Sequence, residues 1–128
     1  MLELVKSFRK RALKFEENAK WNLEQGDYDL AVLHVEQAAQ LMLKVKLLEL
    51  IGDFPKTHNL VQLVKLLYEV SKKEEVAKFL AKNKIRLARL TDAYVSSRYF
   101  AREFYREEAE EALSLLDELK KVLGEEND

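Results

Sequence analysis

Residues 28–51 limit what this chain can fold into more than any other stretch. The segment YDLAVLHVEQAAQLMLKVKLLELI has no glycine or proline and repeats apolar residues at helical spacing. One face carries Tyr28, Ala31, Val35, Ala38, Ala39, Met42 and Val45, and a second carries Leu30, Leu33, Leu41 and Leu48. Only the edge with Asp29, Glu36, Gln40 and Lys44 reads as solvated. A helix that is apolar on two sides must be covered on two sides. It is therefore the central helix of a bundle, or it packs between its own bundle and a second subunit. A homodimer using parts of the first two helices or the last helix is the expectation.

The remaining segments supply the cover. Val5, Phe8, Ala12, Phe15, Ala19 and Leu23 recur at spacings of three and four, so residues 2–25 read as an amphipathic helix. Each of the three glycines, Gly26, Gly52 and Gly124, follows a helix-like segment, where a left-handed C-cap is expected. Asp27 is placed to cap the second helix. The only proline, Pro55, biases Phe54 away from helical geometry and interrupts the pattern in DFPKTHNL. Thr57 then caps a third helix over about 58–71, with His58 in its first turn. Ser71 and Glu74 have capping-box spacing ahead of a fourth helix over about 73–98, whose inward stripe is Val76, Leu80, Leu87, Leu90 and Tyr94. A last helix over about 105–123 buries Ala109, Ala112, Leu116, Leu119 and Leu123 behind an acidic first turn. No stretch alternates with period two, so the fold class is all-α: an up-and-down bundle of four to five main helices in one domain, residues 1–128, with the tail 124–128 frayed.

Composition removes several functions. The chain has no cysteine, so disulfides, thiolate zinc and cysteine nucleophiles are excluded. Two histidines outside any His-rich cluster make no metal site, and no metal or other cofactor is expected. A net charge of −1 provides no global field for nucleic acid, which is not favoured as a partner. Acidic residues interrupt every long apolar run, and the N-terminus has no signal-peptide core, so a cytoplasmic protein with no membrane segment is expected.

Three stretches in order, YDLAVLHVEQAAQLMLKVKLL, FPKTHNLVQLV and LTDAYVSSRYF, resemble the HEPN domain, a family named for higher eukaryotes, prokaryotes and suspected nucleotide binding. The similarity lies in His34, Gln37, Ala38, Ala39 and Lys44, in Thr57, His58 and Leu60, and in the pair Arg98 and Tyr99. The resemblance implies a helical bundle, often a homodimer. It also implies a small module that partners a minimal nucleotidyltransferase and takes a nucleotide as candidate ligand. Other members of the family are metal-independent ribonuclease toxins of toxin–antitoxin pairs, with an arginine followed after four to six residues by a histidine. Here no histidine follows His58 and no arginine stands at that spacing before either histidine. A non-catalytic binding module is therefore the leading expectation. The ribonuclease toxin and a helical adaptor without a small ligand are the alternatives.

Candidate binding residues follow from position. His34 and Gln37 lie one turn apart on helix 2 and form either a nucleotide-contacting pair or a buried structural one. His58 and Lys56 flank the start of helix 3, where free backbone N–H groups suit an anion, although a purely structural hinge is the alternative. Arg98 continues the inward stripe and needs a carboxylate such as Asp92, Glu36 or Glu103, or an anionic ligand, with Asp92 and Tyr99 on its rim. Lys78, Lys82, Arg86 and Arg89 form a basic stripe that is either a solvated face or a surface for phosphate or an acidic partner. Trp21, Phe104 and Tyr105 are either interface anchors or core.

Overall fold

The computed structural model describes residues 1–99 and 101–125. These contain five helices: α1 (Leu2–Gln25), α2 (Tyr28–Ile51), α3 (Leu60–Ser71), α4 (Glu74–Tyr99) and α5 (Arg106–Leu123). No strand is present among the described residues.

The tight α1–α2 turn is made by Gly26, whose φ of 81° is open to a residue without Cβ. The N–H of Gly26 reaches the Leu23 carbonyl and that of Asp27 the Asn22 carbonyl, closing the helix end. Asp27 occupies the N-cap of α2 but makes no side-chain cap bond. Between α2 and α3 the cap is Asn59, not Thr57: the Asn59 side chain accepts from the Gln62 N–H at 3.0 Å. Thr57 Oγ1 instead accepts from the Asn59 N–H at 3.1 Å, a local turn that leaves His58 in the loop rather than in the helix. Ser71 likewise ends α3 and bonds the Lys73 N–H, so it is not a capping box with Glu74. Lys72 takes the left-handed C-cap position with φ 56°.

Helix α2 touches all four other helices, which explains its two apolar faces. Ala31, Val32, Val35, Ala38, Leu43, Val45 and Leu47 are buried within a single copy of the chain. The cover that a second subunit was expected to give is supplied by α1, α3, α4 and α5. The rest of the core comes from Leu60, Leu63 and Val64 on α3, Val76, Phe79 and Leu87 on α4, and Ala109, Leu115, Leu116 and Leu119 on α5. Each fully buried leucine contributes about 2 kcal/mol of transfer free energy. Phe104 is also core, whereas Trp21 and Tyr105 are exposed.

Two polar clasps hold α1 to α5. Lys120 Nζ donates to both Glu16 oxygens at 2.9 Å, with both side chains buried. Arg9 and Lys46 hold Glu125 at 2.7 and 3.1 Å, just past the left-handed Gly124 and within the tail 124–128 expected to fray. Residues 126–128 of that expected fraying lie outside the described residues. Helices α1 and α4 do not touch. The gap between them, floored by α2, is where the polar residues gather.

Candidate functional site

The edge of α2 expected to be solvated is instead buried in its middle. Asp29 is exposed, but Glu36, Gln40 and Lys44, spaced one turn apart, are all buried, and Glu36 has 0% exposure. They form a ladder. Gln40 Nε2 donates to Glu36 Oε2 at 2.7 Å, and Lys44 Nζ approaches Gln40 Oε1 at 3.5 Å. His58 Nδ1 lies 2.9 Å from the same Gln40 oxygen, so the loop that Pro55 opens delivers a second donor to this amide. Glu36 Oε1 is buried with no hydrogen-bond partner. Phe54 fixes the loop. Its ring packs edge-on to Phe8 at 5.5 Å between centroids, and Lys44 Nζ stands 5.4 Å above it.

Burial dominates the electrostatics of this ladder. It pushes the Glu36 carboxyl up to about 7, against the opposing pull of the Gln40 hydrogen bond and the charges of Lys44 and Arg98. It also lowers Lys44, against the charge of Glu36. Both members move toward neutrality, so loss of water outweighs their mutual attraction.

Above the ladder lies a cleft of about 200 Å³. Arg11 and Phe15 from α1 form one wall, and Tyr94 from α4 forms the other. Gln37, Gln40, Leu41 and Lys44 make the floor, and His58 closes one end. Arg98 Nη1 donates to the Tyr94 hydroxyl oxygen at 2.7 Å, which leaves the hydroxyl proton free to donate elsewhere. The cleft therefore combines cations, a directed hydroxyl, an amide and one aromatic face. That combination suits a small anion attached to a planar or polar body.

A model of the HEPN domain matches residues 5–126. The chain belongs to the HEPN domain family. No curated protein and no solved structure gave a significant match.

The expected site residues of this HEPN domain divide in two. His58 and Gln37 line the cleft, and Arg98 reaches its edge through Tyr94. Arg98 is not aimed into the bundle. It is exposed, with its guanidinium 5.2 Å from the Tyr94 ring and 5.0 Å from the exposed Tyr99 ring, and it forms no ion pair among the described residues. Asp92 is exposed and leaves Arg98 unneutralised, and Lys56 is exposed without a hydrogen bond among the described residues. His34 pairs with Asn22 rather than with Gln37, Nδ1 to Oδ1 at 2.7 Å, and stacks on the far side of Phe15 with centroids 5.9 Å apart. Burial lowers its pKa, which keeps it neutral as a support for the Phe15 wall.

The basic stripe on α4 is neutralised at two of its four positions. Arg86 pairs with Glu111 and, at 2.6 Å, with Glu118, while Lys82 reaches Glu118 at 3.4 Å. Lys78 and Arg89 remain exposed without an ion pair among the described residues. The larger groove beside them, about 430 Å³, is lined by Arg86 and Arg89 together with Glu107, Glu108 and Glu111, so it offers an anion no net positive charge. Among the described residues no group of three or more histidine or carboxylate side chains is arranged to hold a metal ion. No described helix is long and apolar enough to cross a membrane.

Gln40, Arg11 and Tyr94 were not singled out from the sequence as site residues, and Glu36 and Lys44 entered only as a possible partner of Arg98 and as part of the family resemblance. The available signal was the i, i+4, i+8 column of Glu, Gln and Lys on a helix otherwise apolar nearly all round.

Proposed function

We propose that this HEPN domain is a cytoplasmic binding module that holds the phosphate of a nucleotide in the α1–α4 cleft and serves a minimal nucleotidyltransferase as its partner. The observation that carries the ligand half is the convergence of Arg11, Lys44, His58 and the Tyr94–Arg98 pair on one cleft above a buried carboxyl group. The volume of about 200 Å³ equals roughly seven waters' share of liquid, enough for one phosphoryl group and its sugar but not for a triphosphate chain. A nucleoside monophosphate such as AMP is therefore the favoured ligand. The partner half is supported by family membership alone, and co-purification with a co-expressed nucleotidyltransferase tests it. For the ligand, AMP at a hundredfold excess over Kd should stabilise the protein by about 2.7 kcal/mol. Lys44→Met should abolish the gain. A melting temperature of the wild type unchanged by millimolar AMP would refute the reading.

A homodimer belongs to the same proposal, on new grounds. Ala81, Ile85, Ala88, Val95 and Tyr99 form an exposed row on α4 at the spacing by which two helices mesh. A second copy crossing antiparallel at Ala88 puts Ala81 opposite Val95 and Lys84 opposite Asp92, an apolar and a charge-complementary match. Light scattering should give twice the chain mass, and Ile85→Glu the single mass.

One observation favours the ribonuclease reading as the second choice. His58 lines the same cleft as Tyr94, to which Arg98 donates, so a histidine and an arginine serve one cleft although they stand in the wrong order in the chain. RNA cleavage that survives repurification and is lost in His58→Ala would establish it over the binding module.

A further inference from the structure

The Gln40 amide sits between groups of opposite demand. At one end its NH2 donates to the Glu36 carboxylate at 2.7 Å, and at the other its oxygen takes donors from His58 Nδ1 at 2.9 Å and Lys44 Nζ at 3.5 Å. An ionised Glu36 thus fixes the amide with nitrogen toward the carboxylate. It thereby fixes the proton of neutral His58 on Nδ1, leaving Nε2 as a lone pair. Glu36 with its proton on Oε2 reverses the chain between Glu36 and His58 and releases Lys44, whose ammonium can only donate. The carboxyl O–H donates to the Gln40 oxygen, the turned amide donates to the Nδ1 lone pair, and the His58 proton moves through solvent to Nε2. The net change is one proton gained, on Glu36.

We propose that protonation of Glu36 turns the Gln40 amide over and so exchanges the tautomer of His58, switching the cleft from a hydrogen-bond-accepting state to one that binds a phosphomonoester anion. The geometry supports this in three ways. Glu36 is fully buried with Oε1 unpartnered, so its ionised form is poorly satisfied. Gln40 is buried and bonded at both ends, so it cannot turn without changing His58. His58 itself is exposed, and among the described residues its Nε2 makes no hydrogen bond, so the change is presented to a ligand. The charged and titratable groups around Glu36 are Lys44 on its own helix, Arg98 and Tyr94 on α4, His58 on the loop and Arg11 across the cleft. Four of these carry or can take positive charge. Neutralising Glu36 leaves that charge without its counterion and available to an anion. The titration of Glu36 near 7 places the switch where neither state is rare.

The anion half rests on the phosphate reading of the cleft, so the test separates the two. Histidine labelled with 15N reports the His58 tautomer directly. At pH 8.5 the wild type should show the Nδ1–H ring. Glu36→Gln, which is neutral at every pH, should show a tautomer ratio that does not change with pH. In the wild type alone, which needs no variant to fold, the ratio of neutral tautomers should change about tenfold per pH unit above 7. AMP affinity should fall about tenfold from pH 7.5 to 8.5 in the wild type, because only the protonated fraction is competent, and stay constant in Glu36→Gln. A tautomer indifferent to pH and to the substitution overturns the relay, whatever AMP does. A tautomer that exchanges in a protein that binds no AMP upholds the relay and removes the phosphate reading.

Discussion

Replacing Glu36 by glutamine should stabilise this protein, and more so as pH rises. Burial lifts the Glu36 carboxyl from an ordinary 4.5 to about 7 in the folded state. The folded chain therefore holds this proton more tightly than the unfolded chain. The stability associated with it is fully present below 4.5 and declines as pH rises toward 7. Above 7 it is gone, and the remaining penalty is constant. The separation of about 2.5 units corresponds to about 3 kcal/mol, at about 1.4 kcal/mol per unit. Other carboxylates run the opposite way. Arg102 holds Glu108 below the usual range, and Arg86 and Arg9 help hold Glu118 and Glu125 low against burial, so each contributes stability that is lost on acidification. Those contributions occur in both proteins and cancel in the difference. The assay is urea unfolding of wild type and Glu36→Gln at half-unit steps from pH 5 to 8.5. The difference should open by about 2–3 kcal/mol in favour of the variant, on the order of 10 °C in melting temperature at the alkaline end. A difference that stays flat with pH, or a variant less stable than wild type at pH 8.5, would refute the assignment of a buried, poorly satisfied carboxylate.

Other outcomes follow from specific contacts. Lys120→Ala should lose about 1–3 kcal/mol in chemical denaturation by leaving buried Glu16 with only the exposed Lys20 at 3.4 Å, and Lys120→Met combined with Glu16→Leu should recover most of it. Lys72→Gly should gain about 1 kcal/mol in the same assay by relieving the left-handed backbone at φ 56°. Arg98→Ala should change stability by less than about 1 kcal/mol, since the guanidinium is exposed and forms no ion pair among the described residues, yet it should weaken any AMP-induced thermal shift.

The helices and the hub were legible because apolar residues report their own burial. Two apolar faces on residues 28–51 require a central helix, and α2 is central. The same signal does not bear on assembly, since α1, α3, α4 and α5 of one copy already cover both faces. The cleft was mostly illegible for the converse reason. Glu, Gln and Lys one turn apart read as a solvated edge, and only a loop histidine and the end of α4, both distant in the chain, turn that edge into an interior. Arg98 was misplaced by extending a straight stripe: α4 continues to Tyr99, and at Arg98 the guanidinium lies at the surface against Tyr94 and Tyr99 rather than inside the bundle. The neutralisation of Lys82 and Arg86 depended on Glu111 and Glu118 of α5 facing them, a pairing of two helices that neither sequence alone specifies. Thr57 and Asn59 are both competent caps, and spacing could not choose between them.

The central position of α2 also sets how the molecule comes apart. Helices α1 and α4 never meet, nor do α1 and α3, so every route between the two sides of the bundle passes through α2 or around by α5. Peeling away the α3–α4 hairpin bares one flank of α2 while α1 and α5 still grip the other. The amide hydrogens at the middle of α2 should therefore be the last to exchange with heavy water, at the rate of complete unfolding, while those of α3 and α4 exchange earlier through a partial opening that keeps α1, α2 and α5 together.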